Sequence, residues 1–241
     1  MKTRVIGASG YEGAFSAMYM SKRSYTPERA KDIDETCRAV LDSSGKIKPD
    51  APKEYLDKFN NYMRMAMKMS INHITICKFI SFSVVVEGLH RAGQDDVDAH
   101  AMRFWNRIIR NSTRLATFDE GEMSDWYKGK IMTTDQMLKA LQIEIPNEVT
   151  VDGVTWVKAP NGYVRKEYED DKDVRRGLYM LSIPSTFVFS SSLTEWGHVY
   201  KERNENGGAN PEVKECVEAI TSELELMHPL WNRDWFLSVK N

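Results

Sequence analysis

A chain of 241 residues, 41% of them apolar, can bury one substantial core and needs no second, so a single domain over 1–241 is expected. Its 33 basic and 35 acidic side chains leave a net charge of -2, which argues against a global attraction to nucleic acid or an anionic membrane and makes any anion site a local one. No apolar run approaches bilayer-spanning length, and Met1-Lys-Thr-Arg4 lacks the apolar core of a secretory signal, so a cytoplasmic location is expected.

Arg4-Val-Ile6 reads as a short strand, with a helix over about Ala14–Lys22 after it. Between them, Ile6-Gly-Ala-Ser-Gly10-Tyr-Glu-Gly13 has the glycine spacing of a dinucleotide-binding loop. That loop requires a second parallel strand ending in an acidic residue about 20 residues on. Ser24-Tyr-Thr-Pro-Glu-Arg-Ala-Lys-Asp-Ile-Asp34 occupies the interval and is not a buried strand, so the glycines read as a plain turn. A polar helix over Arg29–Leu41 and a loop around Lys46–Pro52 follow. Tyr55, Phe59, Tyr62, Met63 and Met67 then recur at helical spacing, which marks a core face and not a ligand box. Ile80–Val86 is rich in β-branched residues and reads as a buried strand ending at Glu87-Gly88.

Asp95, Asp96 and Asp98 precede a predicted helix over Ala99–Arg110, where acidic groups suit the positive end of the helix dipole. Arg103, Arg107, Arg110 and Arg114 would share one face of that helix, as a solvated or salt-bridged stripe or as a phosphate-facing surface. Val149-Thr-Val151, Asp152-Gly153 and Val154-Thr-Trp-Val157 signal a hairpin, and a third strand around Tyr163–Arg165 makes an inserted β-meander at about 131–170. Asn210 caps and Pro211 opens the last clear helix, whose apolar face is Val213, Val217, Ile220, Leu224 and Met227. The fold class expected is α/β (α+β): a mixed or antiparallel sheet flanked by long helices. Cys37, Cys77 and Cys216 form no Cys-x-x-Cys and read as free thiols, and the five histidines show no ligand spacing, so no metal centre is expected.

Several blocks, taken in order, resemble the flavin-dependent thymidylate synthases. Asn72-His73-Ile-Thr75 precedes Ile80-Ser81-Phe as the family's Gly-His-x-Ser segment precedes a strand, although the family's Glu-His pair becomes Lys78-Phe79. Leu89-His90-Arg91-Ala92 is similar to its Ser-Arg-Ala turn, and Ser112-Thr113-Arg114 with Ser124 to its Arg-His-Arg, seven residues, Ser signature. Arg176-x-x-x-Met180 resembles Arg-x-x-x-Pro, Leu193 and His198 are in register with the following helix, and Ala209 and Glu212 resemble Ala-Gln-x-Glu. Arg203 then falls on the substrate-activating arginine. The resemblance implies a dUMP-using transferase with FAD and methylenetetrahydrofolate, built as a homotetramer with shared active sites. It places Arg203 and Ser124 at the reaction, and Arg176, Glu120, Arg114, Ser124 and Arg203 around the nucleotide. On the flavin side it implies His73, Ser81, Thr113, Ser192 and His198.

The chemistry agrees with those residue types. C5 of a pyrimidine is a poor nucleophile unless the ring carries negative charge, and a fixed guanidinium such as Arg203 can stabilise that charge. The other known solution is a cysteine adding to C6, but Cys216 lies within a helical pattern and reads as a packed thiol. Flavin-side positions of the family are replaced by Ser112, Thr113, Ser192-Leu-Thr194 and Lys78-Phe79. Two alternatives therefore stay open: a flavin-independent dUMP or dCMP 5-hydroxymethylase, and a non-catalytic protein that binds nucleotide or contacts nucleic acid through the arginine stripe.

Overall fold

The computed structural model describes residues 1–99, 107–111, 122–159, 161–205 and 209–239, without the side chains of 107, 172 and 176. In chain order, β1 (Lys2–Ser9) leads to α1 (Tyr11–Ser21), α2 (Pro27–Val40), α3 (Lys53–Ser70) and the short α4 (Thr75–Lys78). Next come β2 (Ser81–His90), α5 (Arg91–Ala99), β3 (Arg107–Arg110), α6 (Thr134–Ala140), β4 (Glu148–Val151), β5 (Val154–Ala159) and β6 (Gly162–Arg165). The chain continues through α7 (Lys172–Arg175), β7 (Pro184–Ser192), α8 (Leu193–Asn204), α9 (Pro211–Met227) and α10 (Arg233–Ser238). Strands order as β1-β2-β7-β3 in one sheet and β4-β5-β6 in the other, and both sheets are antiparallel. The expected α/β class with an inserted meander is what the chain forms.

The residues group into two compact units. The first comprises Met1–Glu87, Asp95–Ile109 and Phe187–Asn241, and the second Gly88–Gln94 and Arg110–Thr186.

In the first unit β1 pairs antiparallel with β2, Val5 opposite Val84, with a bulge between Val5 and Gly7. Antiparallel pairing is incompatible with the parallel crossover of a dinucleotide-binding fold, so the N-terminal glycines have a local role. Gly10 shows it: its φ is 87°, and a Cβ there would stand 1.9 Å from the carbonyl oxygen of Phe79. The strand read as buried, β2, alternates, with Phe82, Val84 and Val86 inward. Its serines at 81 and 83 supply the more exposed face, as period-two geometry requires. Asn210 caps α9 as expected, its side chain accepting from the Glu212 N–H at 2.8 Å. Val213, Val217, Ile220 and Leu224 are buried, each contributing roughly 1.5–3 kcal/mol of apolar burial.

Tyr11, Phe15, Phe59, Tyr62, His228 and Trp231 form an aromatic cluster around α1 and α3. Asp32 on α2 accepts from Lys58 at 2.5 Å and from the Tyr62 hydroxyl, clamping α2 to α3. Burial opposes ionisation of Asp32, but the hydrogen bonds from Lys58 and Tyr62 outweigh it and hold the carboxyl below its usual range.

In the second unit α5 begins at Arg91, four residues before the acidic cluster that was expected to start a helix. The N–H groups of Arg91 and Ala92 donate to Ile183 and Leu181 carbonyls at 3.1 Å, satisfying orphan donors of a helix start there. Asp95, Asp96 and Asp98 consequently fall in the body and end of α5. Arg107–Arg110, expected to be helical, is a strand next to β7, because two adjacent isoleucines suit a sheet edge better than a helix. The helical spacing that grouped the arginines therefore does not apply to 107 and 110, while 103 and 114 lie outside the described residues.

The meander matches its sequence signal. Asp152 and Gly153 take φ of 51° and 76°, the left-handed pair of a tight hairpin turn. Helix α6 was not anticipated, although Thr133 and Gln136 close a full capping box at its start. Asp135 of α6 holds Lys158 of β5 at 2.5 Å.

Replacing Gly10 by alanine should destabilise the protein by at least about 2 kcal/mol, combining left-handed strain with a backbone clash, and a lowered urea midpoint would register it. His228 generates a pH-dependent prediction. It is buried between Phe59 and Trp231, accepts from the Leu230 N–H at 3.3 Å, and burial pushes its pKa down from 6.5 to about 4. Between those two values the unfolded chain binds the extra proton and the folded one does not, so stability falls as pH drops through that window. The loss reaches about 3 kcal/mol near pH 4. Urea midpoints measured from pH 7 to 4 should fall less steeply in His228→Phe than in the native sequence.

Candidate functional site

Helix α8 carries Arg203 on the same face as Trp196, Val199 and Tyr200, at spacings of seven, four and three, and all four side chains are buried. Trp196 donates to Thr221 at 3.1 Å and Tyr200 to Glu218 at 2.9 Å, which fixes that face against α9. Arg203 is only 9% exposed. Its Nη2 donates to the main-chain oxygen of Asp96 and lies 3.8 Å from that residue's carboxylate. Its Nε is buried without a hydrogen-bond partner among the described residues. A guanidinium keeps its charge under any physiological condition, so Asp96 holds a permanent cation in one orientation with donor capacity left over.

The opposite end of α8 holds a second polar group. Ser192 caps the helix by accepting from the Glu195 N–H at 3.3 Å, and its hydroxyl lies 3.3 Å from that of Thr194. The spacing Ser192-x-x-Glu195 is that of a capping box, yet the Glu195 carboxylate does not turn back to the cap. It is 1% exposed, both oxygens lack a hydrogen bond, and its nearest described charge is Lys78 Nζ at 3.6 Å.

The structure brings Ser192 to this cluster and places the other flavin-side positions individually. Ser81 faces Ser9 across β2 and β1, hydroxyl to hydroxyl at 3.3 Å. His198 is half-buried midway along α8. His73 is exposed and lines an open cleft of about 460 Å³ with Lys22, Met65, Lys68, Met69 and Asn72. Thr113, Arg114 and Glu120 lie outside the described residues.

In the second unit Ser124 is buried, donating its N–H to the Ser182 carbonyl at 2.8 Å and accepting from the Tyr127 N–H at 3.0 Å. His90 is buried edge-on to Tyr127 at 5.0 Å. Gln94 donates to the carbonyls of Leu89 and Ser185 at 2.9 and 3.3 Å. Arg176 heads a 3₁₀ turn, Arg176–Leu178.

Sequence reasoning did not single out Asp96 or Glu195. Asp96 was absorbed into a supposed helix start. For Glu195 a signal existed: an acidic residue three positions after a capping serine, inside the buried stretch Leu193–Gly197.

Cys216 is fully buried on α9, and burial, reinforced by Glu212 and Glu215, pushes its thiol up to about 12. Burial does the same to Cys77, and all three cysteines are free. Among the described residues no group of His, Cys, Asp and Glu is arranged to hold a metal ion, and no helix is long and apolar enough to cross a membrane.

No protein-family model matches the sequence, and no curated protein matches it. In fold the chain is similar to flavin-dependent thymidylate synthase ThyX from Helicobacter pylori complexed with FAD and dUMP. That likeness has a TM-score of 0.54 at 10% identity and covers 100% of both chains. A further structure of Thymidylate Synthase X from Helicobacter pylori with FAD and dUMP gives 0.51 and 12%, over 98% of this chain and 100% of that one. The UMP/dUMP methylase PolB from Streptomyces cacaoi, bound with 5-Br dUMP, gives 0.53 and 12%, over 98% and 93%. The chain therefore has the fold of the flavin-dependent thymidylate synthases.

The thiols yield a direct prediction. At neutral pH a pKa near 12 leaves on the order of one thiolate in 10⁵, so Ellman's reagent should titrate no cysteine rapidly in the folded protein and all three after denaturation. Rapid native labelling of Cys216 would point instead to a nucleophilic role.

Proposed function

We propose that the protein transfers a one-carbon unit from methylenetetrahydrofolate to C5 of dUMP. The observation that carries this reading is Arg203, a buried cation held by Asp96 in a fold whose solved examples include proteins bound to dUMP. In this reading the guanidinium lies against the pyrimidine and stabilises the charge that develops as C5 attacks the methylene carbon. The bond from that carbon to the folate nitrogen then breaks, and the C5 proton leaves to solvent. Arg176 and Arg114 hold the phosphate, Ser124 assists at the phosphate and the reacting ring, and Glu120 meets the sugar or base side.

FAD accompanies dUMP in the Helicobacter pylori structures, which supports a flavin here as well. When bound, reduced FAD supplies the hydride that converts the transferred methylene into a methyl group. The hydroxyls of Ser192 and Thr194 can donate to its carbonyl and phosphate oxygens, with Ser81, His73, Thr113 and His198 completing the proposed set. We further propose a single domain over 1–241, a homotetramer with shared active sites and a cytoplasmic location.

One observation favours a second reading. Lys78 is committed to Glu195, and hydroxyls replace the charged and amide groups that the family places towards flavin. If flavin is not retained, water adds to the exocyclic methylene and the product is a 5-hydroxymethyl pyrimidine, from dUMP or dCMP.

Tritium release from C5-labelled dUMP in the presence of methylenetetrahydrofolate tests the reading. Release is expected, and Arg203→Ala should lower it by about 100-fold or more, the usual cost of removing one preorganised electrostatic stabiliser. Mass spectrometry of the product with and without FAD then distinguishes methyl from hydroxymethyl. Nucleotide binding with no release from dUMP or dCMP would sink the enzymatic reading in favour of a binding protein.

A further inference from the structure

The Glu195 carboxylate is buried in the first unit with no hydrogen bond to either oxygen among the described residues. It is 1% exposed, and the Lys78 ammonium at 3.6 Å stands beyond hydrogen-bond reach. Burying an ion in this way costs several kcal/mol unless donors compensate it, and a group left so in a folded protein calls for an explanation. A capping role is excluded by geometry, because the side chain passes over the Ser192 N–H that its sequence position would let it take. Lys78 ends the four-residue α4 and its side chain is 25% exposed, so its ammonium, on a stem of four rotatable carbons, has access to solvent as well as to the carboxylate.

Two carboxylate oxygens with an ammonium beside them offer acceptor, acceptor and donor in a row. The complementary ligand edge is donor, donor and acceptor. Among the ligands of the reaction proposed above, uracil and the flavin ring each present a single N–H between two carbonyls, and cytosine and adenine each present one amino group beside a ring acceptor. The pterin of a reduced folate differs, since its 2-amino group and N3–H lie side by side and are followed by the O4 carbonyl. We infer that Glu195 anchors the 2-amino-4-oxo edge of the reduced pterin, with Lys78 as its movable cover. The carboxylate takes both N–H groups as a bidentate acceptor, and the displaced ammonium meets O4. This assignment rests on the reading that the protein uses a reduced folate, and it adds the residues that recognise that co-substrate.

Titrating tetrahydrofolate and its 2-desamino analogue against the native protein, Glu195→Gln and Lys78→Met, with dUMP binding measured on the same samples, tests it. The native protein should bind tetrahydrofolate at least about tenfold more tightly than the analogue. Glu195→Gln, which puts a donor in place of one of the two acceptors, should lose about tenfold or more for tetrahydrofolate and lose most of the discrimination between the two ligands. Its melting temperature should hold or rise, since a buried carboxylate with no hydrogen bond among the described residues has been neutralised and Lys78 retains access to solvent, whereas a purely structural ion pair would lower it. Lys78→Met should lose part of the tetrahydrofolate affinity and keep the discrimination against the analogue. Equal tetrahydrofolate affinities in native and Glu195→Gln protein, with dUMP still bound, overturn the assignment and leave the proposed function standing. A lower melting temperature with parallel loss of dUMP and folate binding also overturns it, as a structural pair. Failure of the native protein to bind either dUMP or tetrahydrofolate removes both readings.

Discussion

Removing a guanidinium from water costs several kcal/mol unless acceptors replace its hydration, and among the described residues Asp96 supplies that replacement, through both its main-chain oxygen and its carboxylate. Arg203 accordingly takes an apolar residue's place on the inner face of α8, beside Trp196, Val199 and Tyr200. That face is braced by Thr221 and Glu218 of α9, and Glu218 also accepts from Asn204 and Arg233. The cation is therefore oriented by packing on one side and by Asp96 on the other.

Similar logic operates at the start of α8, with a different outcome. Leu193 donates to the Ile80 carbonyl at 2.9 Å, and Gly10 approaches the Phe79 carbonyl too closely for any side chain, so α8, α4 and the start of α1 are drawn together. Within that close packing lies a carboxylate that nothing described hydrogen-bonds. One end of the helix thus holds a buried cation bound by Asp96 and the other a buried anion without a described hydrogen bond, about 12 Å apart along the axis at the usual rise per residue.

Much of this architecture was legible in the chain itself. The Asp152-Gly153 turn, the Asn210-Pro211 helix start and the helical spacing of Phe59, Tyr62, Met63 and Met67 are local signals, each set by residues a few positions apart, and each appears where expected. Reasoning failed where a neighbour far along the chain decided the outcome. Arg107–Arg110 has helical charge spacing but pairs beside β7, and α5 starts at Arg91 because carbonyls at 181 and 183 receive its first N–H groups. The placement of Asp96 follows from that shift, so its role as the acceptor for Arg203 could not be read locally.

By itself, then, the sequence determined the element types wherever periodicity and turn chemistry act within one turn or one hairpin, and it marked the cysteines as free thiols and Cys216 as a packed one. Tertiary structure alone decided which groups face one another: Asp96 with Arg203, Lys78 with Glu195, Phe79 with Gly10. These pairs are separated by 69 to 117 positions, and their energies depend on desolvation and on distances of a few ångströms. A residue's own neighbours in sequence carry no record of either quantity.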